Sequence, residues 1–474
     1  MTITEIKIDG FRNVKDTILD FSINPILILL SNNNYGKTNL LQGIEEGFGL
    51  IRKQGTQVVD YIRELSYINK FKADGNRLAF TFGVRFFKKD SNKRYHYEFT
   101  IDGNTYRHGH EKGVISEYLE YDIVENDIKI NEKPITLFQR CTTNLALATV
   151  YSSTDENGNK AETAFKASIE HGTRIVEHDN EEDKSNAQEY TPARYLFLHK
   201  LGNMALVGDS VKHNGKDYSV KQGSGLYEAL KEIAGVLTSL TREDIGTILS
   251  DEGSDYRSAG ALAKDAYLLE SDNSVEYTHF HDSFCSMFAF DSFQPIKVGN
   301  EWQTVEFRGI HNETFATLSF GTRRVFKILS QIIANKTPLV SIEELELGMH
   351  TSLYLDVLQA FKDTLDSATY KKRNNENGSK EKNLRKNEPR LLISTHAPWL
   401  INPFDERLGS VYIGLQSYAD EGCACFKTLN NKGQIEVLEL VGKQFGGSVG
   451  AGDVIFKVLS DKLTRIKKER EWFD

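Results

Sequence analysis

Residues 31–38, SNNNYGKT, lie between a short apolar run and a stretch of helical spacing. Gly36, Lys37 and Thr38 fit a phosphate-binding loop, Gly-x-x-x-x-Gly-Lys-Ser/Thr, with Ser31 where the first glycine usually stands. In such a loop backbone N–H groups curl round phosphates at a helix N-terminus, whose dipole favours anions. Lys37 would contact the β and γ phosphates, and the Thr38 hydroxyl would ligate Mg²⁺. Asn33 and Asn34 tolerate left-handed backbone, so the turn does not depend on the missing glycine.

Three further segments carry compatible chemistry. PLVSIEELELGMH delivers Glu343 and Glu344 at the carboxyl end of an apolar strand. Glu343 would hold a metal directly or through water, and Glu344 would orient or deprotonate an attacking water. Two adjacent glutamates alone are more often a solvated face. STHAP places His396 directly after a strand, within reach of a γ-phosphate. LSFGTRR sets Ser319 and Gly321 at the head of a helix, a second anion-binding position. Four such signals in this order are hard to assemble by chance.

These residues need elements to position them. Ile3, Ile6 and Ile8, then Ile26 to Leu30, read as two β segments, the second buried on both faces. Leu40, Leu41, Ile44 and Phe48 recur at helical spacing after the loop. From Leu78 to Val150 alternating segments predict an antiparallel meander, with Gln139 at its edge. Residues 152–190 are polar and read as irregular. Leu226, Leu230, Ile233, Leu237 and Leu240 form one helical stripe. The last third returns to α/β, ending in two strand-like runs, a Gly-rich turn at 445–452 and a charged helix. No heptad pattern persists, so a long coiled coil is not expected.

At 474 residues the chain is long enough for two or three domains, and 39% hydrophobic residues suffice for a core. The longest apolar run is strand-sized, too short for a membrane helix, and no secretory signal opens the chain. Four scattered cysteines suit a reduced, cytoplasmic protein. A net charge of −9 argues against coating duplex DNA by charge alone; the basic stretch 371–390 reads as a solvated insertion or as a local contact for nucleic acid or an acidic partner. His279, His281 and Cys285 offer three zinc-type ligands with no fourth, so a structural reading is favoured.

The segments ITEIKIDGFRNVKD, SNNNYGKTNLLQGI, EELELGMH and STHAPWLI together resemble ABC-type ATPase heads of the RecF, SMC and overcoming-lysogenization-defect superfamily. The resemblance covers residues 1–150 and about 310–415. It implies an α/β fold: a P-loop ATPase head with a mixed sheet and an antiparallel β meander, plus an inserted helical section. It implies ATP and Mg²⁺, with Arg12, Asn34, Gly36, Lys37, Thr38 and Asn39 around the nucleotide and Thr38 and Glu343 at the metal. Glu344 and His396 would be catalytic, while Ser319 and Gly321 complete the site of a second copy. Glu343 stands where aspartate is commoner.

The segments expected are an ATPase lobe at 1–150, an irregular and helical insertion at 151–310, a second lobe at 311–415, and C-terminal strands and helix at 416–474. A head without coiled coil, and with 78 residues after His396 that are too few for a full Toprim nuclease and hold no Asp-x-Asp pair, resembles the ATPase subunits of two-gene phage-defence systems of the Septu or PARIS kind. That implies a homodimer through ATP, a higher homo-oligomer, a separate nuclease effector, a DNA or phage-protein trigger, and no membrane. The alternatives are a RecF-like DNA-repair ATPase and a non-hydrolysing nucleotide-gated scaffold.

Overall fold

The computed structural model describes residues 1–31, 36–52, 79–88, 91–102, 114–125, 128–140, 147–151, 164–168, 174–177, 210–213, 216–219, 225–242, 246–248, 259–271, 275–334, 337–350, 353–364, 389–396, 410–417 and 423–429, with a few isolated positions beyond these. The basic stretch 371–388, the Gly-rich turn and the terminal helix expected from the sequence lie outside the described residues, as does Asn34.

The chain opens with β1 (Thr2–Asp9), β2 (Thr17–Asp20), β3 (Ile26–Leu30) and helix α1 (Lys37–Arg52). Next come β4 (Ala79–Phe87), β5 (Lys93–Asp102), β6 (Val114–Glu125), β7 (Ile128–Lys129), β8 (Ile135–Arg140), β9 (Leu147–Tyr151), β10 (Ala164–Ser168) and β11 (Arg174–Glu177). A hairpin, β12 (Ser210–His213) and β13 (Lys216–Ser219), precedes α2 (Gly225–Arg242), β14 (Gly246–Ile248), α3 (Ala259–Ser271) and α4 (Val275–Phe288). Then follow β15 (Ser292–Val298), β16 (Glu301–Arg308), β17 (Glu313–Thr314), α5 (Phe320–Leu329) with a π-helical extension Ser330–Ala334, and β18 (Leu339–Ile342). Helix α6 (353–364), β19 (Arg390–Thr395), β20 (Ser410–Ser417) and β21 (Cys423–Lys427) complete the described elements.

Two compact units interleave along the chain: Met1–Asp20, Gln42–Glu243 and Gln416–Cys425 form one, and Phe21–Leu41, Asp244–Leu415 and Phe426–Asp474 the other. The first is built on an antiparallel sheet of order β11-β10-β9-β8-β6-β5-β4-β1-β2, with β7 on β6. Alternation explains its inner face: Phe80, Phe82, Val84 and Phe86 of β4 and Tyr95, Tyr97, Phe99 and Ile101 of β5 are buried. The other face carries cross-strand pairs such as Lys7–Glu98 and Arg94–Asp122. Phe48 of α1 meets Phe82 edge-on at 5.0 Å. On α2 the expected stripe is buried at Leu230, Ile233, Leu237 and Leu240. The meander runs further than its hydrophobic pattern predicts. β10 and β11 extend it through a region read as irregular, and β8, with Gln139, lies inside the sheet between β6 and β9. Main-chain pairing with β9 recruits β10, a segment too short to show clear alternation.

The second unit holds a sheet of order β14-β18-β19-β3-β20-β21, in which β14, β18, β19, β3 and β20 pair in parallel. Every residue of β3, β18 and β19 is buried, as expected of strands covered on both faces. Phe280, Phe284, Phe293, Phe307 and Phe326 pack in one cluster, joining α4, β15, β16 and α5. Helix α4 also places His279 against the Ala360 carbonyl at 2.9 Å, and His281 beside Cys285 at 3.9 Å. Among the described residues no helix is long and apolar enough to cross a membrane, and none forms a long coiled coil.

Candidate functional site

Three adjacent parallel strands, β18, β19 and β3, end side by side, and the loops at their carboxyl ends carry the chemistry. This is where open α/β sheets bind ligands. Leu30 pairs with Thr395, and Ile342 with Ile393, so Ser31, Glu343 and His396 emerge from one sheet end. All three belong to the second unit, with Lys37 and Thr38.

Gly36 has φ +85, a left-handed turn that glycine adopts without cost, and its carbonyl accepts the first helical bond from Leu40 N at 2.8 Å. Lys37 then begins α1, 6% exposed. Its ammonium donates to the Ser31 carbonyl at 2.7 Å and to Ser31 Oγ at 3.2 Å, and lies 3.2 Å from His396 Nδ1. Ser31 thus supplies an acceptor that glycine could not. Space for its side chain comes from Gly414 of β20, where a Cβ would stand 2.5 Å from Ser31 Cβ.

Thr38 Oγ1 donates to Glu343 Oε1, bringing together the hydroxyl and carboxylate assigned to the metal. His396 Nε2 lies 3.0 Å from Glu344 Oε1. Burial, reinforced by the Lys37 charge, lowers the His396 pKa against the opposing pull of Glu344 and Glu346. A neutral imidazole protonated at Nε2 satisfies both contacts: it donates to Glu344 and accepts from Lys37. Glu344 itself sits at φ +49, a left-handed backbone uncommon for a residue with a side chain.

Other expected residues make contacts of their own. Asn39 is half-buried in the first turn of α1. Arg12 belongs to the first unit, where it donates to Gln42 Oε1 and lies 5.4 Å above the Phe11 ring. Ser319 is exposed at the start of α5, capping it by accepting from Thr322 N at 3.2 Å. Gly321 is buried, and a Cβ there would stand 1.9 Å from the Gly348 carbonyl.

A family model described as AAA domain, putative AbiEii toxin, Type IV TA system matches residues 32–402. The chain belongs to this family. Similar solved structures include an SMC head bound to the C-winged helix domain of ScpA, at TM-score 0.43 and 10% identity over 92% of this chain and 100% of that one. An SMC head domain from Thermotoga maritima gives TM-score 0.35 and 9% identity over 91% and 100%. An SMC head with extended coiled coil, bound to the C-terminal domain of ScpA and derived from Pyrococcus furiosus, gives 0.37 and 10% over 93% and 99%. No curated protein matches.

For a domain of the AAA class, ATP with Mg²⁺ is the expected ligand, and the donor set fits it. Thr38 and Glu343 are hard oxygen ligands already in contact, of the kind Mg²⁺ takes beside substrate phosphates. Glu346 Oε2 is buried without a hydrogen-bond partner, a further hard oxygen on the same acidic segment.

Residues that sequence reasoning passed over also hold the main chain of this cluster. Glu346 accepts from His396 N at 2.7 Å, Ser394 Oγ accepts from Glu344 N at 3.0 Å, and Arg324 reaches the carbonyls of Glu343 and Glu344. Each acts on main chain, so residue type and spacing carry little sign of it. The third acid of EELE was the one legible hint.

Burial lowers the Lys37 pKa to about 8, against Glu344, Glu346 and Glu343, which pull it up. A triphosphate needs the ammonium, so above that pH binding must take up a proton. ATP affinity should therefore hold below pH 8 and fall about tenfold per pH unit above it. Titration calorimetry between pH 7 and 10, in buffers of different ionisation enthalpy, would register the uptake; a Kd unchanged across this range contradicts the assignment.

Proposed function

We propose that this AAA domain binds ATP with Mg²⁺, hydrolyses it slowly, pairs with a second copy through the nucleotide, and regulates a separate nuclease in an anti-phage defence complex. The observation that carries the reading is the convergence of Lys37, Thr38, Glu343, Glu344 and His396 at the ends of adjacent parallel strands. The family description, a putative toxin of a type IV toxin–antitoxin system, supports action with a second gene product.

In this reading a phosphate arriving at Gly36, Lys37 and Thr38 replaces His396 as an acceptor for Lys37. His396 remains on Glu344 through Nε2–H and holds that carboxylate to receive a proton from the attacking water. Mg²⁺, held through Thr38 and Glu343, would neutralise charge on the β and γ oxygens. Ser319, exposed at the N-terminus of α5, would then meet the nucleotide of a second copy.

Sharing of sites is testable by mixing. Lys37→Ala protein combined with Ser319→Arg protein should form heterodimers with one intact composite site and recover hydrolysis. Mixtures confirmed to contain heterodimers, yet never exceeding the two mutants measured alone, would refute the shared arrangement. Co-purification from the native operon, with the mass of the complex, tests the separate effector: a protein that isolates without a partner and cleaves phage DNA itself counts against it.

A further inference from the structure

Arg324 is fully buried, an expensive place for a guanidinium unless its hydrogen bonds matter. It lies on α5, five positions after the capping Ser319, and one nitrogen, Nη2, donates to the Glu343 carbonyl and lies 3.3 Å from that of Glu344. Those two peptides border the left-handed conformation of Glu344, which strains a residue with a side chain. Ser394 Oγ also accepts from Glu344 N at 3.0 Å, and Leu345 N donates to the Ser394 carbonyl at 3.2 Å. The turn closes through Leu347 N on the Glu344 carbonyl at 2.9 Å.

A second contact joins the same two segments. Gly321, in the first turn of α5, packs so closely on Gly348 that no side chain fits between them. Helix α5 therefore grips the acidic segment at both ends, through Arg324 at Glu343 and Glu344 and through Gly321 at Gly348.

We propose that Arg324 is a positioning residue, holding the Glu343–Glu344 main chain so that the Glu344 carboxylate is aimed, and tying that chain to the helix capped by Ser319. Contact of a second copy's nucleotide with Ser319 is then felt at this copy's own acids. The kinetic consequence rests on the ATPase reading above; the mechanical one does not.

The test compares wild-type protein, Arg324→Met and Arg324→Lys in MgATP binding, turnover, and backbone hydrogen exchange of the peptide spanning 339–350. Arg324→Met should lower kcat about 100-fold, the scale of a misplaced catalytic group, with ATP Kd within about threefold of wild type. Arg324→Lys, which keeps a cation able to reach one carbonyl, should recover part of the rate. The amides of Leu345 and Leu347 should exchange faster in Arg324→Met without any nucleotide. Unchanged exchange there overturns the clamp whatever the rates show. Turnover and binding that decline together, with no rescue by lysine, mark an ordinary packing role and also overturn it. If Arg324→Met does not fold, Arg324→Lys decides: wild-type exchange and wild-type kcat refute the proposal, and intermediate values support it. Wild-type protein that never hydrolyses ATP, with exchange still faster in the variants, defeats the ATPase reading and leaves the clamp standing.

Discussion

Lys37→Ala should raise the Kd for ATP by at least about 100-fold, a loss of roughly 3 kcal/mol and the scale of charge-assisted hydrogen bonds to phosphate. The ammonium stands at the N-terminus of α1, where burial lowers its pKa and Glu344, Glu346 and Glu343 oppose that shift. Alanine leaves those carboxylates facing an incoming polyanion with their neighbouring cation gone. The fold should not suffer in proportion. The folded pKa of Lys37 lies below its ordinary value, so at pH 7, below both, the native state bears the whole cost of burying that charge. Removing it relieves this cost and offsets the bonds lost to Ser31. Fluorescent-nucleotide titration beside a thermal melt separates the two effects: affinity should collapse while Tm moves by only a few degrees. ATP binding at wild-type affinity by a folded Lys37→Ala protein would remove the phosphate loop from the mechanism.

Glu344→Gln should retain ATP with a Kd near that of wild type and lose turnover by about 100- to 10,000-fold, the usual contribution of a general base. Glutamine keeps the size of the side chain and an oxygen that can accept from His396 Nε2, the contact now made at 3.0 Å. It cannot take a proton from water. The main-chain bonds to Ser394 and Arg324 are untouched by the change, so the left-handed turn should persist. Binding without hydrolysis should also hold nucleotide-joined dimers long enough to separate by size. The decisive measurement is single-turnover hydrolysis under saturating MgATP. A wild-type rate would move the base elsewhere, with Glu346, anchored on His396 N, the next carboxylate to examine.

Much of this protein was legible in the order of its residues. The helix after the loop was visible because Leu40, Leu41, Ile44 and Phe48 repeat at helical spacing, and the meander because Phe80, Phe82, Val84 and Phe86 alternate. Gly36, Lys37 and Thr38 match a phosphate-loop pattern that can be read locally, because backbone geometry, charge and hydroxyl must occur at adjacent positions to act together. Such requirements are local, and local patterns survive in a linear string.

Tertiary structure decided the rest. β3, β18 and β19 are uniformly apolar and buried, and runs of that kind pair equally well in many orders. Only packing set them side by side and thereby carried Glu343 to Thr38 and His396 to Lys37 across hundreds of residues. Ser31 was only a departure from the motif in the sequence; in the fold Gly414 of β20 leaves room for its side chain, which accepts from Lys37. Glu346, Ser394 and Arg324 gave no comparable signal, because each acts on a backbone atom distant in the chain, and every residue type presents the same backbone. The sequence specified which groups could do the chemistry; the fold specified which of them meet, since distance in space is set by the pairing of buried strands rather than by spacing along the chain.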